Sequence, residues 1–523
     1  MNIALITLIF SGCVSFALPI STSSGRVVCY YGSWSTYRNG IGKFTASDID
    51  PTLCTHAIYC FIGLNPDGTV KVMDPYLDFD LGNIKRFNAM KEVNPSLKTL
   101  VAIGGWNEGS QKYSAVAASP SLRNTFVQSA LKFVLDQGFD GFDLDWEYPA
   151  RRGGSPTDKV NYVTLIKELK SAFEEHGLLL SAAVSATGET IDTSYNVTAL
   201  SQYLDMINVM SYDLHGSWDK VTGHNAPLYP SNLDNTADSK ELNLVSCAEA
   251  WLSRGASRSK LNLGLAFYGR SFTLSDAQNN GLGAPISAPG LPGRYSGESG
   301  MLTYYEIVEH LTTNEWTYRW DSEQEVPHIY KSNQWIGFDD ANSIAKKVKY
   351  AKDEQLGGVM VWSVESDDFS GLSGIKYPLL RAAYQMAKGS SGVENWVSEV
   401  VAGRFCKCFI FIISDMDRSS ITMMASTPQY HRQPLLCHLQ PLQLTHHILQ
   451  ANQQRIHQRP LRMLHQQPRL NCVQEAALSE ILMTVECFII VPLMVLLSEH
   501  TNSFVKMGRF LTRRLSPAIG LIW

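Results

Sequence analysis

The sequence of 523 residues lacks a marked charge imbalance, with 44 basic residues against 49 acidic ones. An excess of Lys and Arg is typical of nucleic-acid and membrane-surface binding, so we expect neither partner. The sequence also lacks a long apolar run. Residues 3–10 are apolar, and residues 485–497 are apolar apart from Glu486 and Pro492. Both segments are shorter than the ~17–25 residues that a membrane-spanning helix needs. We therefore expect no nucleic-acid or membrane partner, and we also expect a monomer.

The first residues of the chain contain no Lys or Arg, although a secretory signal peptide usually begins with a positive charge. Residues 3–10 are nevertheless uninterrupted in their apolar character, and the small residues Ser15 and Ala17 follow at the spacing of a cleavage site after Ala17. We predict a signal peptide over residues 1–17 and a secreted, extracellular protein. A buried first strand is the alternative. Secretion would make the cysteines candidates for disulfide bonds.

Acidic residues are absent from residues 427–470, which contain 10 Gln, 6 His and many Leu and Pro. This composition has neither helical nor strand periodicity, so residues 390–523 are predicted to form a disordered, low-complexity tail. A second interpretation starts from the genetic code. Thr and Pro codons that are read one base late begin with C and encode Leu, Gln, Pro, His or Arg. An out-of-frame translation of a Thr/Pro-rich linker therefore stays open beside a genuine tail.

Between residues 26 and 389, short apolar runs alternate with longer amphipathic segments, of which residues 121–136 and 158–175 have clear helical spacing. Eight runs have the length and composition of buried strands: 27–31, 57–64, 99–106, 141–147, 178–184, 206–212, 261–268 and 358–364. Eight strands alternating with helices over roughly 250–400 residues predict an α/β fold, the eight-stranded parallel TIM barrel. The interval between the seventh and eighth runs is far longer than a barrel crossover.

Three carboxylates occupy alternate positions in the segment 139–149, which reads FDGFDLDWEYP: Asp143, Asp145 and Glu147. In a strand they would line one face, roughly 6–7 Å apart. Since like charges this close do not all ionise in a partly desolvated site, one acid should hold a proton near neutral pH and could act as a general acid. The alternatives are an exposed acidic strand, which the surrounding aromatic residues argue against, and a metal site, which would need further ligands nearby.

The segment 139–149 resembles the signature of the family 18 chitinases, Asp-Gly-x-Asp-x-Asp-x-Glu, and the resemblance to the secreted arthropod type extends over residues 26–389. It implies an endo-acting glycoside hydrolase that cleaves the β-1,4 bonds of chitin and chito-oligosaccharides, with no metal or other cofactor. In that family the N-acetyl oxygen of the substrate attacks the anomeric carbon, and configuration is retained. The resemblance also implies a small α+β insertion between strands 7 and 8, at about residues 271–336.

The resemblance further implies roles for single residues. Glu147 would be the general acid and base. Asp145 would hold the substrate acetamide group and share a proton with Asp143, while Tyr212 would hydrogen-bond the acetamide carbonyl. Trp362 would form the floor of the sugar subsite at the cleavage point. The other residues that the resemblance assigns to the substrate are Tyr30, Trp34, Gly104, Gly105, Trp106, Asn107, Tyr148, Met210, Asp213, Trp218, Arg270 and Glu298.

The cysteines and one asparagine carry further expectations. The resemblance implies a disulfide bond between Cys29 and Cys54. Cys60 and Cys247 lie in apolar runs and are expected to be buried thiols. Asn196 begins the sequence Asn-Val-Thr, which predicts N-glycosylation of a secreted chain.

The sequence is also compatible with two alternatives to a chitinase. The first is a chitin-binding, chitinase-like lectin on the same barrel. Such proteins typically have the acid replaced by a residue that cannot donate a proton, whereas this sequence has Glu147. The second is a hydrolase of other N-acetylglucosamine glycans, which would share the three acids and differ in the shape of its cleft.

Overall fold

The computed structural model describes residues 25–389, and its regular elements lie in two sheets and the helices that cover them. The strands are, in chain order, β1 (Arg26–Gly32), β2 (His56–Leu64), β3 (Val70–Lys71), β4 (Lys98–Gly104), β5 (Gly141–Asp145), β6 (Leu179–Ser185), β7 (Met206–Met210), β8 (Leu261–Ala266), β9 (Tyr268–Leu274), β10 (Ile286–Pro289), β11 (Met301–Thr303), β12 (Thr317–Asp321), β13 (Val326–Lys331), β14 (Gln334–Gly337) and β15 (Gly358–Trp362). The α-helices are α1 (Asn83–Val93), α2 (Gln111–Ala118), α3 (Pro120–Gln137), α4 (Asp158–Glu174), α5 (Gly188–Ser194), α6 (Val197–Tyr203), α7 (Ala237–Lys240), α8 (Leu244–Ser253), α9 (Tyr304–Thr312), α10 (Ala341–Asp353) and α11 (Pro378–Lys388).

Eight strands close into a barrel in the order β1-β15-β8-β7-β6-β5-β4-β2, and β1 pairs with β2 to complete the ring. All of these pairings are parallel. The strands are almost wholly buried, because helices cover their outer faces and side chains fill the interior. The predicted TIM barrel is confirmed.

The helices form where the sequence provides start and stop signals, as α3 illustrates. The Ser119 hydroxyl caps its first turn and Pro120 occupies the first helical position. Gly138 ends the helix in the left-handed conformation, with φ of 74°. Its apolar face packs on the barrel, where the rings of Phe126 and Phe142 lie 6.1 Å apart. Such contacts hold the helices against the strands and so fix the positions of the strand ends.

A second, antiparallel sheet is inserted between β8 and β15. Its strand order is β10-β9-β14-β13-β12, with β11 paired to β9, and α9 lies between β11 and β12 in the sequence. The sheet has a small core of its own around Phe272, Leu274 and Trp335. This is the expected insertion, and its strands extend over residues 268–337 rather than 271–336.

Five barrel strands end two residues earlier than the sequence predicts, at Gly104, Asp145, Met210, Ala266 and Trp362 instead of residues 106, 147, 212, 268 and 364. The seventh barrel strand ends at Ala266 instead of residue 268, and Tyr268 begins the insertion sheet. The chain changes sheets at Phe267, whose N–H still donates to the carbonyl of Trp362 in the barrel. The fourth barrel strand ends at Asp145 instead of residue 147, because its neighbour β4 ends at Gly104 and offers no further partner.

The cysteine predictions are confirmed. Cys29 and Cys54 form a disulfide bond with their Cα atoms 6.0 Å apart, and Cys60 and Cys247 are buried free thiols. The predicted signal peptide and the tail over residues 390–523 lie outside the described residues. In the part of the chain that the structure describes, every helix is too short or too polar to cross a bilayer.

Candidate active site

The carboxyl end of β5 brings the three predicted acids together. Asp143 and Asp145 belong to the strand and are buried inside the barrel. Glu147 follows two residues beyond the strand end and is half-buried. Burial, together with the charges of Glu147 and Asp143, raises the pKa of Asp145 well above its usual value. The three carboxyl groups are therefore electrostatically coupled, as the alternating pattern predicts.

Asp143 lies deepest and is surrounded by hydrogen-bond donors. The Tyr30 hydroxyl donates to its Oδ2 at 3.0 Å, and the Ser181 hydroxyl donates to its Oδ1 at 2.5 Å. The Asn208 amide reaches the same Oδ1 at 3.4 Å. Burial raises the pKa of Asp143 to about 6, and these donors oppose the rise because they favour the ionised form. Asp143 can therefore change its charge near neutral pH.

A line of polar side chains continues from Asp143 through the barrel. Asn262 donates to the Oδ1 of Asn208 at 2.8 Å, and its own Oδ1 accepts from the Nε of Arg26 at 3.1 Å. Ser181, Asn208 and Asn262 were not among the residues predicted for the site. Each is a polar residue within an otherwise apolar strand, and this pattern was the available signal.

Asp145 differs from Asp143 because its Oδ1 is buried without a hydrogen-bond partner among the described residues. The predicted acetamide ligand Tyr212 is also buried, and within residues 25–389 its hydroxyl forms a hydrogen bond only to the Met360 sulfur, at 3.7 Å. Burial raises the pKa of Tyr212, and the charge of Asp145 contributes to that rise. A buried, unpaired oxygen costs about 1–3 kcal/mol. Both side chains are therefore available to a polar group of a ligand.

Glu147 has the electrostatics of a general acid. Burial raises its pKa to about 7, while hydrogen bonding by Tyr148 and the positive charge of Arg152 act in the opposite direction. The charge of Asp213 adds to the rise. A carboxyl group with a pKa near the working pH is partly protonated and can still release its proton.

A second wall of the cleft joins the loop after β7 to the insertion sheet. Asp213 has a positive φ of 56°. Its Oδ1 accepts a hydrogen bond from the Tyr268 hydroxyl at 2.7 Å and pairs with the Nη2 of Arg270 at 2.7 Å. Arg270 also lies 4.0 Å from the carboxylate of Glu298 and 5.1 Å from the ring centroid of Trp218. The predicted residues Asp213, Trp218, Arg270 and Glu298 thus form one connected group.

The predicted tryptophans fall into two kinds. Trp362, at the end of β15, is half-buried, with its ring stacked on Phe61 at 5.8 Å and close to Trp34 at 6.2 Å. Trp34, Trp106 and Trp218 are 38%, 59% and 58% exposed. Trp362 is thus held by neighbouring rings, Trp34 stacks on Phe61 at 5.9 Å, and Trp106 and Trp218 present most of their surface to solvent. Phe61 was not among the predicted residues, and the role of Trp362 as the floor of a sugar subsite stays a prediction.

Gly104 and Gly105 were predicted to let a ligand approach the backbone closely. The structure shows another reason for glycine at both positions. Their φ values are 120° and 85°, in a region that favours glycine. A Cβ on Gly104 would lie 2.1 Å from the carbonyl oxygen of Asp145, and one on Gly105 would lie 2.7 Å from the Phe61 ring. The glycines are therefore required by neighbouring protein atoms. Their contact with a substrate stays a prediction.

The remaining predicted residues are Asn107, Met210, Tyr148 and Asn196. Asn107 is exposed in the turn after β4, and Met210 is half-buried at the last position of β7. Tyr148 is half-buried beside Glu147. Asn196 is exposed at the start of α6, where its side chain accepts the Ala199 N–H at 3.2 Å. Their functions remain predictions.

Comparison with known proteins identifies the family. The sequence model for glycosyl hydrolases family 18 matches residues 26–367, more than half of the chain. The chain belongs to glycosyl hydrolase family 18.

This family 18 chain is 42% identical to chitotriosidase-1 of Mus musculus over 391 residues, which are 72% of this chain and 82% of that protein. Its structure is similar to the Group IV chitinase of Ostrinia furnacalis in complex with allosamidin, with a TM-score of 0.69 and 46% identity over 70% of this chain and 100% of that one. Human YKL-39, described as a pseudo-chitinase with retained chitooligosaccharide binding, matches with a TM-score of 0.66 and 37% identity over 70% and 100% of the two chains. Because this fold includes hydrolases and a binding protein, the side chains of the site must distinguish them.

Proposed function

We propose that this chain is a secreted, endo-acting chitinase that hydrolyses the β-1,4 bonds between N-acetylglucosamine units and acts as a monomer. The observation that carries the proposal is the environment of Glu147. Burial raises the pKa of this carboxyl group to about 7, and it lies beside two further buried carboxyl groups at the end of a barrel strand. The similarity to the Group IV chitinase of Ostrinia furnacalis and to chitotriosidase-1 of Mus musculus supports the choice of substrate.

In the first step, protonated Glu147 donates its proton to the oxygen of the scissile glycosidic bond. The carbonyl oxygen of the substrate N-acetyl group attacks the anomeric carbon, and the bond from that carbon to the leaving oxygen breaks. The leaving sugar departs as an alcohol, and a cyclic oxazolinium ion remains. Proton donation of this kind contributes about 10²–10⁴-fold to a rate.

Asp145 and Tyr212 orient the acetamide group for this attack. The unpaired Oδ1 of Asp145 accepts the amide N–H. Because burial raises the pKa values of both acids, Asp145 and Asp143 hold one proton between them. When that proton lies on Asp143, Asp145 is negative and stabilises the positive charge that develops on the oxazolinium ring. The Tyr212 hydroxyl, whose hydrogen bond within residues 25–389 is to a sulfur atom, donates to the acetamide oxygen.

In the second step, ionised Glu147 removes a proton from a water molecule. The water oxygen attacks the anomeric carbon on the face that the leaving group vacated, and the oxazolinium ring opens to regenerate the acetamide. Two successive inversions give net retention. Glu147 is again protonated and the site returns to its starting state.

A binding protein without turnover is the alternative function, since YKL-39 shares the fold. Glu147 argues against it here. A site that only binds sugar has no need for a carboxyl group whose pKa burial raises to about 7. Burial of such a group is also unfavourable for stability.

The proposal is tested by following chitotetraose and an N-glycan core glycopeptide with the purified full chain, using proton NMR to detect the first anomer released. We expect hydrolysis of chitotetraose with the β-anomer appearing first. Release of the α-anomer first would exclude the retaining mechanism. Binding without hydrolysis would support the lectin, and preference for the glycopeptide would support the hydrolase of other glycans.

A further inference from the structure

The loop between β5 and α4 has an unusual backbone at two residues that are not glycine. Ala150 and Arg152 have φ values of 63° and 51°. The left-handed region is unfavourable for residues with a Cβ, so surrounding contacts must hold them there. The buried Asp158 supplies such contacts, because its Oδ2 accepts the N–H groups of Ala150 at 3.2 Å and Ser155 at 2.8 Å.

This backbone directs the Arg152 side chain onto the cleft. The guanidinium carbon lies 3.5 Å from the ring centroid of Trp106, and Nη1 donates to the carbonyl oxygen of Glu147 at 2.9 Å. One side chain therefore contacts both an exposed aromatic plate and the segment that carries the acid. Trp106 remains 59% exposed although the guanidinium lies over one face of its ring, so the opposite face is open to solvent.

Arg152 has no ion pair with a carboxylate within residues 25–389, whereas the adjacent Arg151 pairs with Glu189 at 2.7 Å. An Arg that only stabilised this loop would be expected to pair in the way that Arg151 does. The contacts of Arg152 are instead a ring and a backbone carbonyl, both at the site. The two neighbouring arginines thus form a natural comparison.

We propose that Arg152 is a positioning residue that fixes the Trp106 plate to the catalytic segment and thereby makes cleavage depend on the length of the sugar chain. The inference rests on the proposed function. A pyranose ring stacks on the open face of Trp106, away from the cleavage point, and Arg152 holds the indole from behind. An indole that is already ordered loses less side-chain freedom on binding, so long sugar chains bind more tightly.

The positive charge of Arg152 also acts on the acid. It opposes the rise in the pKa of Glu147 that burial causes. Removal of the charge should therefore move the loss of activity with increasing pH to a higher pH. This shift depends on the charge of Arg152, whereas the preference for long sugar chains depends on its planar guanidinium group.

Four single variants separate these effects: Arg152→Gln, Arg152→Lys, Arg152→Gly and the control Arg151→Gln. For each, kcat and KM are measured on chitotriose and chitohexaose, together with the pH profile of kcat and the melting temperature. We expect all three Arg152 variants to raise KM for chitohexaose by about 2–10-fold, with chitotriose changed less than twofold. The alkaline limb of the pH profile of kcat should shift to higher pH in the Gln and Gly variants and should not shift in the Lys variant.

The Gly variant excludes a purely structural role. Glycine relieves the left-handed backbone, so its melting temperature should equal or exceed that of the parent while KM for chitohexaose is still raised. In a Trp106→Ala background, Arg152→Gln should have no further effect on that KM. Equal effects on the two substrates, or the same effect from Arg151→Gln, would overturn the proposal. Absence of hydrolysis by the parent chain would instead refute the proposed function.

Discussion

Tyr30 and Asp143 are 113 residues apart in the sequence and are joined inside the barrel by a 3.0 Å hydrogen bond from the Tyr30 hydroxyl to the Asp143 Oδ2. Tyr30 comes from β1 and Asp143 from β5, with β2 and β4 between them in the ring. Since Tyr30 is buried, its defined role is to support the acids from within the barrel. Its predicted contact with a sugar stays a prediction.

Replacement of Glu147 by Gln should abolish turnover and preserve binding. The amide keeps the size of the side chain but cannot donate a proton to the leaving oxygen, so kcat should fall by at least about 10²–10⁴-fold. Chito-oligosaccharide affinity, measured by isothermal titration calorimetry, should change little. The control is Glu354→Gln, which removes only a surface ion pair with Arg258. Activity of the Glu147→Gln variant within twofold of the parent would show that another group is the acid.

The same substitution should change how stability depends on pH. Burial raises the pKa of Glu147 to about 7 in the folded state, whereas the unfolded value is about 4.3. The folded state therefore binds the proton more tightly, and this contribution to stability is lost as pH rises from about 4 through 7. Relative to the parent, Glu147→Gln should gain on the order of 1–3 kcal/mol between pH 4.5 and 8.5. Urea denaturation at both pH values checks this, and a constant difference would contradict the raised pKa.

The tryptophans should separate binding from packing. Trp106 is exposed, so Trp106→Ala should leave stability within about 0.5 kcal/mol of the parent and impair mainly long substrates. Trp362 is half-buried and stacks on Phe61, so Trp362→Ala should damage cleavage of all substrates and also lower stability. Trp146→Ala is the packing control, since this core residue should cost about 3–5 kcal/mol. Unfolding of both Trp106 and Trp362 variants would refute the subsite assignment.

Residues 25–389 should fold and hydrolyse chito-oligosaccharides without the rest of the chain. They contain the closed barrel, the three acids, the disulfide bond and the insertion sheet. Specific activity, melting temperature and retention on insoluble chitin should match those of the full-length protein. An inactive or insoluble truncated protein would place part of the catalytic domain beyond residue 389.

The local patterns of the sequence predicted the barrel well, because each strand is a short buried run whose composition is visible without knowledge of its neighbours. Boundaries were less certain where two sheets meet. Leu261 to Tyr268 reads as one apolar run, and only the pairing of Tyr268 with β11 assigns it to the insertion. The length of β5 was overestimated for a similar reason, since the end of β4 decides where β5 loses a partner.

The proximity of Asp143, Asp145 and Glu147 follows from the sequence, because their spacing places them together in any extended segment. The groups that surround them are brought there by the tertiary fold and are not visible in the local sequence. Ser181 and Asn208 reach Asp143 from two other strands, and Arg152 meets Trp106 across two loops. The raised pKa of Glu147 likewise depends on the tertiary structure, because burial by distant parts of the chain causes it.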